Sequence, residues 1–391
     1  MNNSIKNTYI PKLRFKEFGE KYKLVSLKDI SNHKKGQGFS KKDILADGKY
    51  KIILYGDLFT KYKSIITDVN EFTNKKGKIL SKLNSLLFPS SSTSLNDFFP
   101  SSSIKIKNVI LGSDINIFEI NSENNSDYFA FLFSNKNHLK KIQALTEGST
   151  INHLYGKHLE EYKIIIPYLK EQDKIAKFFS LLDQQISLLE NKLQLIEQII
   201  KYILSFKLRY TNKKIGDEFY LFDGFPFKST DYDENGKKEI LTIKNIGINK
   251  LELKKINRTN KIIENKYEIN KNEIICSLTG AAGFKFSLSD SNYYFNQRTL
   301  KIISKKNEFH QILMLLLLFR KNKDFISNLA TGSQQNISKK DIENLNFLKN
   351  ESRNIFIAKI LNKIDKYVNM LITVKELKIK RKNYYLKKIL L

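Results

Sequence analysis

Between residues 171 and 208 the chain carries neither proline nor glycine. Apolar residues return there at alternating steps of four and three: Ile175, Phe179, Leu182, Ile186, Leu189, Leu193, Ile196, Ile200 and Ile203. A period of 3.5 residues held over four heptads predicts a helix that pairs along one seam. At about 1.5 Å per residue it is about 57 Å long. The pattern returns at Ile357, Leu361, Ile364, Val368 and Leu371, then breaks at Lys375 and Lys378, where Tyr367, Met370, Val374 and Leu377 form an alternative row. An amphipathic helix of this length leaves an apolar stripe that needs a partner. Antiparallel pairing of the two helices puts two globular units at opposite ends of a rod. The other arrangement packs each helix on its own domain, against which the unbroken heptad phase speaks.

Upstream of each helix, short runs of strand character alternate with turn signals, as at residues 51–55, 103–110, 115–120, 239–243 and 299–303. Helical stretches are predicted at 128–145 and 309–329. These segments are written twice. Residues 27–58 match 215–246 at a constant shift: Asp29 meets Asp217, Gly36 meets Gly224, Asp43 meets Asp231 and Gly48 meets Gly236. A second block sets Ile142, Leu145, Gly148 and Ser149 over Ile326, Leu329, Gly332 and Ser333, and after a one-residue slip Leu159 over Ile342. A third sets Ile175, Ala176 and Asp183 over Ile357, Ala358 and Asp365. Shared Lys/Ile/Asn bias does not keep glycines and aspartates in register, so the chain reads as a duplication. The predicted class is α+β, with two tandem domains at 1–170 and 209–350. Each is followed by a long helix, at 171–208 and 351–391, and the helices form an antiparallel coiled coil with pseudo-two-fold symmetry.

Net charge is +28, from 68 basic and 40 acidic residues, which favours a polyanionic partner. Codon bias of an AT-rich genome is the competing source of the lysines. Arginine is scarce, so the charge speaks for backbone affinity more than for base reading. The single cysteine, Cys276, excludes an internal disulfide and a CxxC zinc site. The longest apolar run, 312–319, is too short to span a bilayer, and residues 1–13 carry no secretory pattern. The expected location is the cytoplasm, with no membrane partner.

Several of these features together resemble the specificity subunit of type I restriction–modification systems, over essentially the whole chain. They are PKLRF-EF at 11–18, the LxDI start followed by GxGFS or GFPFKS, the Gly-Ser block, and IIIPYLKEQDKIAKFFSLLDQQI at 164–186. The second copy, LKNESRNIFIAKILNKID, departs from the pattern by lacking the proline and the Glu-Gln pair, which leaves the start of its helix open. The resemblance implies two target-recognition domains reading the halves of a bipartite, asymmetric double-stranded DNA site, with the helices as spacer. It also implies DNA methyltransferase (modification) subunits that bind S-adenosylmethionine and methylate adenine, and a translocating restriction subunit. S-adenosylmethionine, ATP and Mg belong to those partners; this chain is expected to hold no cofactor and no metal.

No catalytic motif contradicts that reading. No proline is followed by Pro or Asp, so the Asn/Asp-Pro-Pro-aromatic loop of amino-methyltransferases and the Pro-Asp nuclease signature are absent. The Gly-Lys pairs are followed by Tyr50, Ile79, His158 and Lys238, never the Ser or Thr of a P-loop. His153 and His158 are five apart, poor ligand geometry on a helix, and read as surface or cap residues. For DNA, lysines beside turns supply phosphate contacts: Lys34, Lys35, Lys41, Lys42, Lys75, Lys76, Lys237 and Lys238. Base reading falls to Gln37, Ser91, Ser92 and Asn96 in the first domain and to Thr279, Gln297 and Arg298 in the second; turn and cap roles compete for the hydroxyls. The basic stretch 375–391 touches phosphate or an acidic partner, or is a solvated helix end. A free-standing two-headed DNA-binding regulator and a coiled-coil adaptor are the alternative functions.

Overall fold

A computed structural model describes residues 10–92, 99–279, 283–330 and 336–391. The chain divides into two units: Met1–Leu188 together with Lys375–Leu391, and Leu189–Val374. In the first, a five-stranded sheet has the order Ser31–Lys35, Ile115–Ile120, Ser85–Pro89, Ser102–Ile104, Ile65–Ile66. A three-stranded sheet has the order Phe72–Thr73, Tyr50–Ile53, Ile110–Leu111, with Ile52 parallel to and opposite Ile110. In the second unit one four-stranded sheet runs Phe219–Asp223, Thr299–Ser304, Ile274–Ser277, Phe286–Leu288. The other runs Asn257–Thr259, Lys238–Leu241, Tyr293–Phe295, Glu268–Ile269, again with one parallel pair, Ile240 opposite Tyr294. Corresponding strands keep the same order and sense. The duplication read from the sequence is therefore a duplication of fold, and the chain adopts the predicted α+β class.

Each unit folds around two main apolar cores, with a third, small cluster beside them: Ile52, Leu54 and Ile110 in the first, Phe227, Ile240 and Tyr294 in the second. Phe88, Phe118, Phe131, Phe133 and Phe179 are fully buried in the larger core of the first unit; Ile53, Leu87, Leu111 and Ile117 form the smaller. In the second unit Phe219, Phe284, Phe286 and Phe319 join Ile357 and Leu361, while Leu241, Ile275 and Phe295 make the smaller core. The apolar run 312–319 lies in the helix Phe309–Lys321, buried on most sides. Each predicted medium helix is divided: Ser126–Phe133 and Lys136–Gln143, then Phe309–Lys321 and Lys323–Ser327. Asn135 accounts for the first break, because its side chain caps Asn137 N–H and so starts a new helix. The run 103–110 is likewise not one strand; Asn108 takes φ +62° in a turn.

The long helices run Leu169–Ser205 and Ser352–Ile389. Within the first unit their contacts pair Phe178 with Tyr385, Asp183 with Lys382 at 2.5 Å, and Gln185 with Lys378 at 2.7 Å. Within the second, Lys192 lies over the Tyr367 ring, and Ile200, Ile203 and Leu204 pack on the core that holds Ile357 and Leu361. Partner numbers fall as the first helix is climbed, so the segments are antiparallel in both units. Lys378, one of the lysines that interrupt the apolar repeat, and Lys382, one half-heptad further on, are thus polar seam positions, with Gln185 and Asp183 as partners. Met370 and Leu377 are exposed, so that row does not replace the seam. The basic tail is not a solvated end: Leu386, Ile389 and Leu390 are buried in the first unit's larger core. Among the described residues no helix is long and apolar enough to cross a membrane.

Candidate nucleic-acid interface

The residues that match between the halves make matching contacts. Asp29 accepts a hydrogen bond from Ser26 N–H, and Asp217 one from Lys214 N–H, both at 2.7 Å. Asp43 and Asp231 do the same for Ser40 and Lys228 at 2.8 Å. A hydrogen bond from Lys75 holds the Asp43 carboxyl below its ordinary range, and Lys261 does so for Asp231. A Cβ on Gly36 would lie 1.9 Å from the Gly112 carbonyl oxygen, and one on Gly224 2.1 Å from that of Asn296. These glycines let the turn after each first strand touch the neighbouring backbone. The repeated blocks therefore build the scaffold that carries the exposed loops.

The helix starts obey the same logic. Gln172 donates to the Pro167 carbonyl at 2.9 Å and to Asn124 at 2.8 Å. In the second unit the amide at the matching place, Asn354, donates to the Lys349 carbonyl at 2.9 Å and to that of Arg209 at 3.0 Å. The second copy thus keeps a buried amide although it lost the Glu-Gln pair. Arg14 is spent on the same joint: it grips both oxygens of Glu171 at 2.9 and 2.7 Å. Tyr22 donates to Glu171 as well, and burial followed by that carboxylate pushes its hydroxyl pKa well up.

The binding candidates fall into distinct settings. Lys34 is paired with Glu119 at 2.7 Å; burial opposes ionisation of Glu119, but Lys34 and Lys82 outweigh it and hold the carboxyl low. Lys238 is paired with Glu268 at 2.8 Å and lies over the Tyr294 ring. Lys35, Lys41, Lys42 and Lys237 are exposed and make no ion pair among the described residues. Gln37 is exposed in the turn after strand Ser31–Lys35. Gln297 and Arg298 are exposed in the turn between Tyr293–Phe295 and Thr299–Ser304. Ser91 and Ser92 are buried, in register with His153 and Asn152, and Thr279 is buried and bridged to Asn336. None of these three hydroxyl residues is presented on the surface. Asn96, Gly332 and Ser333 lie outside the described residues.

The first unit also holds a cleft of ≈ 420 Å³ that sequence reasoning did not locate. It is lined by His33 and Lys35, by Ser90 and Asn116, by Glu147 and by residues 153–158. Asn116 fixes the walls: its amide nitrogen donates to the Leu154 carbonyl at 2.8 Å, and its oxygen faces His33 Nε2 at 3.2 Å. Gly156 leaves the room that the His33 ring fills, since a Cβ there would lie 1.9 Å from His33 Cε1. His33 stacks on Phe118, with ring centroids 4.8 Å apart. Along the rim, Tyr155 stands between His153 and His158, at 6.1 and 5.7 Å. Glu147 and His153 exchange backbone hydrogen bonds of 2.9 and 2.7 Å and close the loop holding Gly148 and Ser149. Among the described residues no cluster of three or more His, Cys, Asp or Glu is arranged to hold a metal ion.

The model of the type I restriction modification DNA specificity domain matches residues 19–198 and again 208–381. Among solved structures, the S subunit of a type I restriction–modification system from M. genitalium is 15% identical, with a TM-score of 0.71 over 97% of this chain and 99% of that one. A chain from a structure of type I R-M complex assembly and conformational transition is 11% identical, covering 94% of this chain and 97% of that one, with a TM-score of 0.49. The HsdS subunit from Thermoanaerobacter tengcongensis is 11% identical, covering 94% and 96%, with a TM-score of 0.39.

Proposed function

Because the chain belongs to the type I restriction modification DNA specificity family, we propose that it is the non-catalytic subunit that chooses the DNA sequence for a type I restriction–modification complex. Each unit reads one half of a bipartite, asymmetric site in double-stranded DNA, and the long helices set the gap between the halves. Modification subunits carrying S-adenosylmethionine methylate adenine, and a translocating restriction subunit, with ATP and Mg, cuts unmodified DNA. The observation that carries this reading is the same strand order built twice in one chain, with the matching blocks spent on the scaffold and the loops left to differ. That is the economy expected of two readers of unlike sequences on one frame.

The helices supply the support for protein partners. Leu181, Leu188, Leu195 and Tyr202 recur every seven residues on the first helix, off the seam, and all are exposed, Leu188 to 68%. On the second, Phe356, Met370, Leu377 and Tyr384 keep the same period and are also exposed. Large apolar side chains held in heptad phase on a helix already paired through another face suit the addition of further helices; we assign them to the modification subunits. The test is co-expression with a modification subunit, followed by co-purification and duplex binding across salt. The expected result is a stable complex whose affinity for DNA falls steeply with salt. A chain that binds one site tightly alone and never joins a modification subunit is a free-standing regulator, and one that joins but ignores DNA is an adaptor; either result overturns the proposal.

A further inference from the structure

We infer that the cleft of the first unit seats the sugar–phosphate backbone of the duplex, gripping it through Lys35 and Lys157. The inference rests on the DNA-binding reading above and adds which surface holds the strand and by what chemistry. Lys35 and Lys157 face the cleft, are exposed, and make no ion pair among the described residues. Unlike Lys34, whose charge is spent on Glu119, they leave two ammonium groups over a concave surface.

The remaining cleft groups settle which part of DNA suits it. Base edges are read by forked donors and acceptors such as Asn, Gln and Arg. The one such group here, the Asn116 amide, is consumed on both sides by Leu154 and His33. His158 Nδ1 donates to the Leu145 carbonyl at 3.1 Å. What stays available is two point charges, the Tyr155 ring, 47% exposed, and the exposed His153, while the one carboxylate of the lining, Glu147, lies 3.5 Å from His158 Nε2. Lysine ammoniums recognise phosphate as compact point charges, and phosphate contacts position a duplex without reading it.

The duplication supplies an internal comparison. By the repeat alignment Lys35 corresponds to Asp223, and Gly156 to Lys339. In the second unit these two face each other as an ion pair at 3.7 Å. Where the first unit has Gly156, its room filled by His33, and an exposed Lys35 without an ion pair, the second has Lys339 paired with Asp223, while Lys340, at the place of Lys157, stays exposed. A grip by two unpaired lysines at this place thus belongs to the first unit alone, the second keeping one of them, Lys340.

The test uses the chain bound to its modification subunits and two duplexes, one with the recognised site and one without. Affinity is measured from 50 to 300 mM salt for the unaltered complex, for Lys35→Ala with Lys157→Ala, and for a charge-matched control at two exposed lysines outside the cleft and the long helices, Lys107→Ala with Lys271→Ala. Removing two ammonium groups from the phosphates should lower the slope of log K against log salt by about 1.8. Both duplexes should weaken by a similar factor, the methylated sequence should not change, and the control should keep the original slope. The inference is overturned if the cleft variant keeps slope and affinity, if the control shifts the slope equally, or if the cleft variant alters the bases accepted at one half-site. An unaltered complex without salt-dependent DNA binding would instead refute the proposed function itself.

Discussion

Gly36 and Gly224 face carbonyl oxygens at distances that admit no methyl group. Because the neighbouring atoms are backbone, they cannot rotate away, and Gly36→Ala or Gly224→Ala should destabilise its own unit by about 3 kcal/mol, read as a lower thermal midpoint. The carboxylates set the response to acid. Lys75, Lys261 and Lys213 hold Asp43, Asp231 and Glu218 below their ordinary pKa values. A carboxylate depressed in the fold stabilises it above the unfolded pKa, near 4, and loses that contribution as pH falls through the folded value. Asp365 works in the opposite sense, since burial raises its pKa despite Arg320 at 2.6 Å. The depressed groups outnumber it, so the urea midpoint should drop between pH 5 and pH 3, and less so in Asp43→Asn with Asp231→Asn; an equal drop would contradict this. At this scale the sequence disclosed the repeated residues but not their work. Aspartates and glycines in register marked a duplication, and only coordinates show them as caps and close approaches. The cleft was hidden because His33 and Lys35 lie far in sequence from Lys157, and because the glycine that makes room for His33, Gly156, resembles any turn residue.

The long helices were legible as elements, since an apolar repeat over four heptads has few other readings. Their ends and seams were less so. The amide pair Gln172 and Asn354 sits at matching places, but Asn and Gln differ by one methylene, and the surrounding motif had eroded. Lys378 looked like a break in the seam because a sequence cannot show Gln185 waiting for it. The tail's anchoring was not legible, and contact with phosphate, contact with an acidic partner and a solvated end stayed open, because its charge masks Leu386, Ile389 and Leu390. Asn135 donates to the Leu386 carbonyl at 3.1 Å, and His138 bonds that of Leu391. Burial, the main cause, lowers the His138 pKa, against the Leu391 hydrogen bond. Deleting residues 387–391 should therefore cost the first unit about 4 kcal/mol from the loss of Ile389 and Leu390. Hydrogen exchange should speed up in Ser126–Phe133 and Lys136–Gln143 and stay unchanged in Phe309–Lys321. Uniform protection in both would show that the tail is dispensable.

At the scale of the chain, the two copies follow one another, and only the end of the second helix, Lys375–Leu391, returns to the unit that contains the start of the chain. Two units of one fold, joined by helices with one repeat, supply what a bipartite reader requires. If the helices are the ruler, removing one heptad from each, in matching segments, should change the permitted gap and leave the bases of both half-sites as they were. The most direct measurement is methylome sequencing of a host that carries this chain with a modification subunit. The account predicts a single new adenine-methylated motif made of two unlike half-sites at a fixed gap. No new motif, or one contiguous stretch of bases, would contradict it.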